Sequence, residues 1–428
     1  MAFTFTGGLD LLKGGRRPVG RIKTLLNPDY TVIHLSKNRG SSFEPCVNEG
    51  DPVAVYQRVG TEICPEGEIP VYSGVSGKLR EILKNDKGLL YGAVIDTDGE
   101  GRTAPVTGYD GALSELTPER IIGILKEKAV PCRGPLRFAF NKIGVLQKKS
   151  ERFLLNMCES EPGVASRKAL CLTDPDAVLN GAKILMRAVD IRKCEIVIEK
   201  NDKELLKVIT DKIKRDRLFS IVKVKDKYPQ DEEAYVTASV CGVIPADLRR
   251  PDRSKVAVFD AETAEAAFRA VAYGIPYCRR IVTVDTENVL CPIGTPISEL
   301  LFSCGVSMED CRCIIAGGPM RGVACRSADE PVDAATDAVT VIYHGDGRHI
   351  PEMTECTSCG KCVSVCPSRI MPFYTAELSR KRKYAKCAEY GAAACTECGC
   401  CDYVCPAYVP IKKLIRTAKQ RLPGDAGD

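Results

Sequence analysis

Eight of the ten cysteines between residues 356 and 406 constrain this chain more than any other feature. They fall in two runs, Cys356-Thr-Ser-Cys359-Gly-Lys-Cys362-Val-Ser-Val-Cys366-Pro367 and Cys395-Thr-Glu-Cys398-Gly-Cys-Cys401-Asp-Tyr-Val-Cys405-Pro406. Each run reads C-x2-C-x2-C-x3-C-P. In each, a tight loop with Cys at every third residue can turn three thiols toward one point. The fourth thiol sits before a proline that ends the loop and fixes φ. Gly360 and Gly399 let the backbone come close to whatever the thiols hold, where a Cβ would crowd it.

This is the bacterial ferredoxin spacing for a [4Fe–4S] cluster, in which the fourth Cys of each run ligates the other cluster. The expected ligand sets are therefore Cys356, Cys359, Cys362 and Cys405 for one cluster, and Cys395, Cys398, Cys401 and Cys366 for the other. A lone C-x2-C would leave zinc open, but two complete runs ending in Pro do not. Cys400 competes with Cys401 for a ligand position, and Cys401 is preferred because only it keeps both spacings. Two clusters imply a task in moving electrons.

Composition bounds the rest. A chain of 428 residues should hold two to four domains, and 44% hydrophobic with 27% charged residues is ordinary for a globular protein. The net charge of +5 argues against a nucleic-acid partner, and three histidines make a His-built metal centre improbable. Abundant free thiols fit a reducing, cytosolic compartment. No apolar run reaches transmembrane length and the first residues lack a signal-like apolar core, so a membrane role would require peripheral docking on the cytoplasmic face. Cys304, Cys311, Cys313 and Cys325 lie close in sequence but match no zinc or cluster spacing.

Along the chain, residues 1–115 read as short strands and turns. The phrases Gly50-Asp51-Pro-Val and Ser73-Gly-Val-Ser-Gly77-Lys-Leu resemble the barrel-sandwich hybrid of biotinyl and lipoyl domains. From 116 to 235 strands alternate with helices, with Thr117 as N-cap of the first, which predicts a parallel α/β sheet. Between a strand and a helix lies Cys158-Glu159-Ser160-Glu161-Pro162-Gly163, an acidic loop at a strand end, where such sheets meet ligands. A solvated acidic loop is the simpler reading of its composition. Residues 236–345 read as a small α+β unit, with a helix over 261–273 and a glycine turn Gly317-Gly318-Pro319-Met320. That turn alone does not make a phosphate cradle. Arg380, Lys381, Arg382 and Lys383 join the two cysteine runs, either as a solvated face or as a basic rim that steers an acidic carrier such as a small ferredoxin.

In this order the pieces resemble the RnfC family of the Rnf electron transport complex. The resemblance rests on Glu159-Ser-Glu161-Pro-Gly, Lys227-Tyr-Pro, Arg280-Ile-Val-Thr-Val, Gly294-Thr-Pro, Gly317-Gly-Pro-Met and the two cluster runs. It implies a multidomain α/β and α+β fold. The parts would be a barrel-sandwich hybrid (1–115), a Rossmann-like domain similar to the complex I flavin subunit (116–235), an SLBB β-grasp domain with a return segment (236–345) and a two-cluster ferredoxin domain (346–428). It also implies that Glu159 and Glu161 meet FMN and NADH, and that the partners are other redox subunits of an ion-translocating complex. One departure weighs against FMN and NADH. Where the family carries a glycine-rich loop, this chain has Cys132-Arg-Gly-Pro135-Leu-Arg137-Phe-Ala, and Asp231 replaces a further glycine after Lys227-Tyr-Pro-Gln.

Two functions follow. One is an electron relay through two [4Fe–4S] clusters between NADH, by way of FMN if retained, and a ferredoxin or partner redox protein. The other is a flavin-less donor to a dedicated reductase of the proline-reductase or cobalamin-reductase type. A module with purely structural clusters is disfavoured by the intact ligand sets.

Overall fold

The computed structural model describes residues 3–11, 21–34, 41–134, 136–147, 149–242, 255–345 and 352–422. Pro135 of the altered loop and His349 lie outside them. The architecture is mixed α/β with several sheets.

The centre is a parallel sheet of β1 (Arg152–Asn156), β2 (Cys194–Glu199), β3 (Phe219–Val224) and β4 (Val256–Asp260), in the order β3-β2-β1-β4. The two sides of β1 bury against different cores. Phe153 and Leu155 join the large core of helices Pro118–Glu127, Pro175–Ala188 and Ala261–Tyr273, while Leu154 meets Val236 and Val240 of the helix Glu233–Cys241. A strand covered on both faces reads as a continuous apolar run, as these do. The boundary expected at 235 falls inside this unit. All five residues of β4 are buried, and they pair with β1. Because the chain runs out through β2 and β3 and then returns past β1, the carboxyl ends of β1 and β4 flank a topological switch point.

Ahead of this unit, strands Tyr30–His34, Leu90–Thr97, Gly77–Lys84 and Pro52–Val53 form one antiparallel sheet, and Ser42–Pro45, Arg58–Cys64 and Gly67–Tyr72 form a second. Phe43, Val53, Val59, Leu79 and Ile95 are buried between them. After it, a six-stranded sheet centres on Arg279–Val284 and Ala338–Tyr343, and its edge strand Lys23–Thr24 comes from the start of the chain.

The C-terminal module is a repeat offset by 39 residues, as Cys356 and Cys395 illustrate. Gly360 and Gly399, both left-handed, open the short helices Lys361–Ser364 and Cys400–Tyr403. Helices Pro372–Arg380 and Ile411–Lys419 follow at the same offset and pack together. Residues 3–11 strap this module to the α/β unit. Gly8 N–H donates to Val365 O, Leu9 and Tyr228 exchange backbone bonds, and Phe5 stacks on Tyr235 at 4.8 Å.

Candidate metal centre

The second cysteine loop shapes a cleft. Cys366, Cys395, Cys398, Cys400 and Cys401 line about 330 Å³ of empty space, part of it open to solvent, together with Pro367, Ile370 and Ile415. Cys366 arrives from the first run, so this lining draws on both runs. The local fold explains the convergence. Left-handed Gly399 reverses the chain so that Cys401 on its short helix faces back toward Cys395, and Glu397 N–H donates to Cys395 Sγ at 3.3 Å. The first loop repeats this, with Ser358 N–H donating to Cys356 Sγ at 3.4 Å. There Cys356 and Cys359 are exposed, whereas Cys362 is buried in one small core with half-buried Cys405.

Thiols converging on a lined cleft, with backbone N–H groups aimed at sulfur, suit a cofactor with one iron per thiolate. Among the described residues, no three His, Cys, Asp or Glu side chains gather tightly enough to share a single ion. A four-iron cluster asks less, since each thiolate meets its own metal. Cys400 is fully buried beside Tyr228 and Cys398, and by the repeat it corresponds to Lys361, while Cys401 corresponds to Cys362. Among the described residues no two cysteines form a disulfide. Cys304, Cys311, Cys313 and Cys325 are half-buried, and the thiols of Cys311 and Cys313 donate to the carbonyls of Ser307 and Ile314.

Behind the second loop lies the switch-point crevice, where the acidic loop follows β1. Glu159 is buried and caps the helix Ser166–Thr173. It accepts from Arg167 N–H at 2.9 Å, Lys168 N–H at 3.0 Å and the Ser166 hydroxyl at 3.2 Å. Burial pushes its carboxyl up from the usual value, against Arg167 and the two amides. Glu161 is taken differently. The turn after Gly317 offers two amides, and Glu161 accepts from Met320 N–H at 2.7 Å, Arg321 N–H at 3.1 Å and Arg321 Nε at 2.8 Å. The glycine turn therefore does cradle an anion, but the anion is the chain's own carboxylate. Gly318 is required there, because a Cβ would lie 2.2 Å from Glu161 Cγ.

Guanidiniums fill what remains of the crevice. Arg167, 1% exposed, bridges the two sides of the switch point from Glu262 (2.7 Å) to the Cys158 carbonyl. Arg321 also binds Asp231 and Glu232, and Arg133 of the altered loop binds Asp337 and reaches Asp231 at 3.7 Å. Burial alone would raise the Asp231 carboxyl. Arg321, Arg133 and Arg167 outweigh it and hold the group well below 3.8. These residues do not fit a flavin phosphate. The Met320 and Arg321 amides are taken by Glu161, the carboxylates outnumber the guanidiniums, and Leu136, Arg137 and Asp231 stand where glycines would open the site. Sequence reasoning did not identify Arg167, Arg321, Tyr228 and residues 3–11 as parts of this region. The departure at Asp231 was the one signal that pointed toward it.

The family described as the Nuo51 FMN-binding domain matches residues 138–269, which span the sheet and the acidic loop. Over 410 residues the chain is 29% identical to the C component of the Na(+)-translocating ferredoxin:NAD(+) oxidoreductase complex of Acetobacterium woodii, covering 92% of this chain and 91% of that one. It is 27% identical over 374 residues to the C component of the proton-translocating ferredoxin:NAD(+) oxidoreductase complex of Clostridium ljungdahlii, covering 85% and 81%. It is 29% identical over 367 residues to the C component of the ion-translocating oxidoreductase complex of Rhodobacter capsulatus, covering 82% and 70%. Among solved structures, a chain of an NAD+-reducing [NiFe]-hydrogenase in the air-oxidized state superposes at a TM-score of 0.49 with 13% identity, covering 86% of this chain and 76% of that one, too loosely to argue from. The resemblance to RnfC drawn from motif order thus holds along most of the chain. No helix of the described residues is long and apolar enough to cross a membrane.

Proposed function

We propose that this RnfC-like chain is an electron-transfer subunit of an ion-translocating ferredoxin:NAD+ oxidoreductase, acting in the cytoplasm or at the cytoplasmic face of a membrane. Two [4Fe–4S] clusters are its working groups, one on Cys356, Cys359, Cys362 and Cys405, the other on Cys395, Cys398, Cys401 and Cys366. The observation that carries this reading is the cleft lined by five cysteines from both runs, four of them at the spaced positions, inside a module that repeats itself. When bound, such clusters accept and release single electrons without transferring atoms. The chain's own part is to supply thiolates, to hold them with N–H groups donated to sulfur, and to pack the second loop against buried Tyr228.

Similarity to the RnfC relatives over most of the chain favours this assignment over a donor dedicated to a single reductase. FMN and NADH come with the family match, but the crevice residues do not fit a flavin. Anaerobic reconstitution, with iron, sulfide and flavin counts and EPR, tests the reading. The expected result is two reducible four-iron clusters. Iron near zero after reconstitution sinks it. Flavin retained in proportion to protein would show that the ion network opens, and NADH reduction would then be the next measurement.

A further inference from the structure

The two cysteine loops repeat each other in backbone but not in surroundings. Around the first, Cys356 and Cys359 are exposed, and a Cβ on Gly360 would meet nothing within 4 Å. In the second, their counterparts Cys395 and Cys398 are half-buried and buried. The Tyr228 hydroxyl donates to the Cys398 carbonyl at 2.5 Å, and Lys412 Nζ donates to the Met320 carbonyl at 2.8 Å. Across the Tyr228 ring lies the Arg321 guanidinium, 5.6 Å from the ring centroid. It is bonded to Glu161, Asp231 and Glu232. Arg321 and its three carboxylates therefore stand one aromatic ring away from the second loop, with Lys412 on the loop's own side and Arg133 3.7 Å from Asp231.

We infer that Arg321 is a positioning residue for the second cluster. Together with Glu161, Asp231 and Glu232 it sets the charge at this inner site, and so separates the potentials of two clusters whose ligand loops are otherwise alike. The first loop is then the outer site, open to a partner. The inference rests on the reading that both loops hold [4Fe–4S] clusters. Its physical basis is that reduction adds negative charge to a cluster, and nearby charge acts strongly where burial lowers screening. Removing Arg321 exposes three carboxylates to the inner site and disfavours reduction. Removing the Glu161 charge does the opposite.

The test is an EPR-monitored redox titration of the anaerobically reconstituted full chain, as wild type, R321Q, R321K and E161Q, with and without a soluble dysprosium chelate that broadens signals near solvent. R321Q is expected to lower the midpoint of the less broadened signal and E161Q to raise it. R321K should stay near wild type, and the broadened signal should not move in any variant. Both signals moving together, neither moving, or only the broadened one moving overturns the inference. If R321Q does not retain its clusters, E161Q, which removes a charge and keeps the shape, decides alone. Absence of both signals from the wild type is a different failure, that of the cluster reading itself, and it removes this inference with it.

Discussion

At the scale of single residues, Gly360 and Gly399 separate backbone conformation from packing. Both are left-handed, at φ +74° and +78°, so an alanine at either is strained by about 1–2 kcal/mol. At Gly399 a Cβ would also lie 2.6 Å from the Met320 carbonyl, while at Gly360 it meets open space. G360A should therefore keep both clusters with a small drop in Tm, whereas G399A should lose iron from the second site and fall further in Tm. Iron-to-protein ratios and thermal unfolding check this, and equal behaviour of the two variants would refute the packing argument. Both glycines were legible in the sequence as close-approach positions. That only one carries a neighbour was not, because Met320 lies 79 residues before Gly399.

At the scale of elements, the acidic loop after β1 ties three pieces together: the helix Ser166–Thr173 through Glu159, the 317–321 turn through Glu161, and the start of the helix Glu233–Cys241 through Ser160 and Asp231. Asp231 gives this knot a pH dependence. Its folded value lies below the usual 3.8, so it contributes stability that is present above that value and is lost as pH falls through the folded value. D231N should cost about 3–5 kcal/mol at neutral pH, as for a buried ion pair that loses one partner. The gap to wild type should narrow as the solution is acidified below pH 3.8. Thermal unfolding of both proteins along a pH series measures it, and a gap that widens in acid contradicts the assigned role. The elements themselves were readable. The N-cap at Thr117, the helix over 261–273 and the strands β1, β2 and β3 follow from local pattern. The membership of β4 in that sheet was not, since pairing with β1 spans about a hundred residues.

At the scale of the whole molecule, the cysteine module is held by side chains from the α/β unit and by the chain's first residues. The Tyr235 hydroxyl bonds Ser368 at 2.9 Å and Thr396 at 3.2 Å, one in each cysteine loop, and Arg369 reaches Thr6 at 2.8 Å. The link between the repeats is basic. Arg380, Lys381, Arg382 and Lys383 are exposed, and Arg380 rests on Met353, three residues before Cys356. Neutralising these four should slow electron transfer to an acidic carrier at low ionic strength, with the difference fading as salt rises. Stopped-flow rates across a salt series test it, and an unchanged low-salt rate would leave the four as a solvated face.

The sequence by itself determined the thiols and their spacing, the order of elements and the departure from a glycine-rich loop, because spacing and periodicity are local properties. Only the tertiary structure decided what became of the carboxylates. Glu159 and Glu161 occupy the loop where a bound nucleotide was expected, but both are satisfied within the chain. Glu161 meets amides 159 and 160 residues away, and Arg321 closes over it. A hydrogen bond of that span leaves no period in the sequence. It exists because a buried carboxylate must find donors, and folding brings the glycine turn within reach.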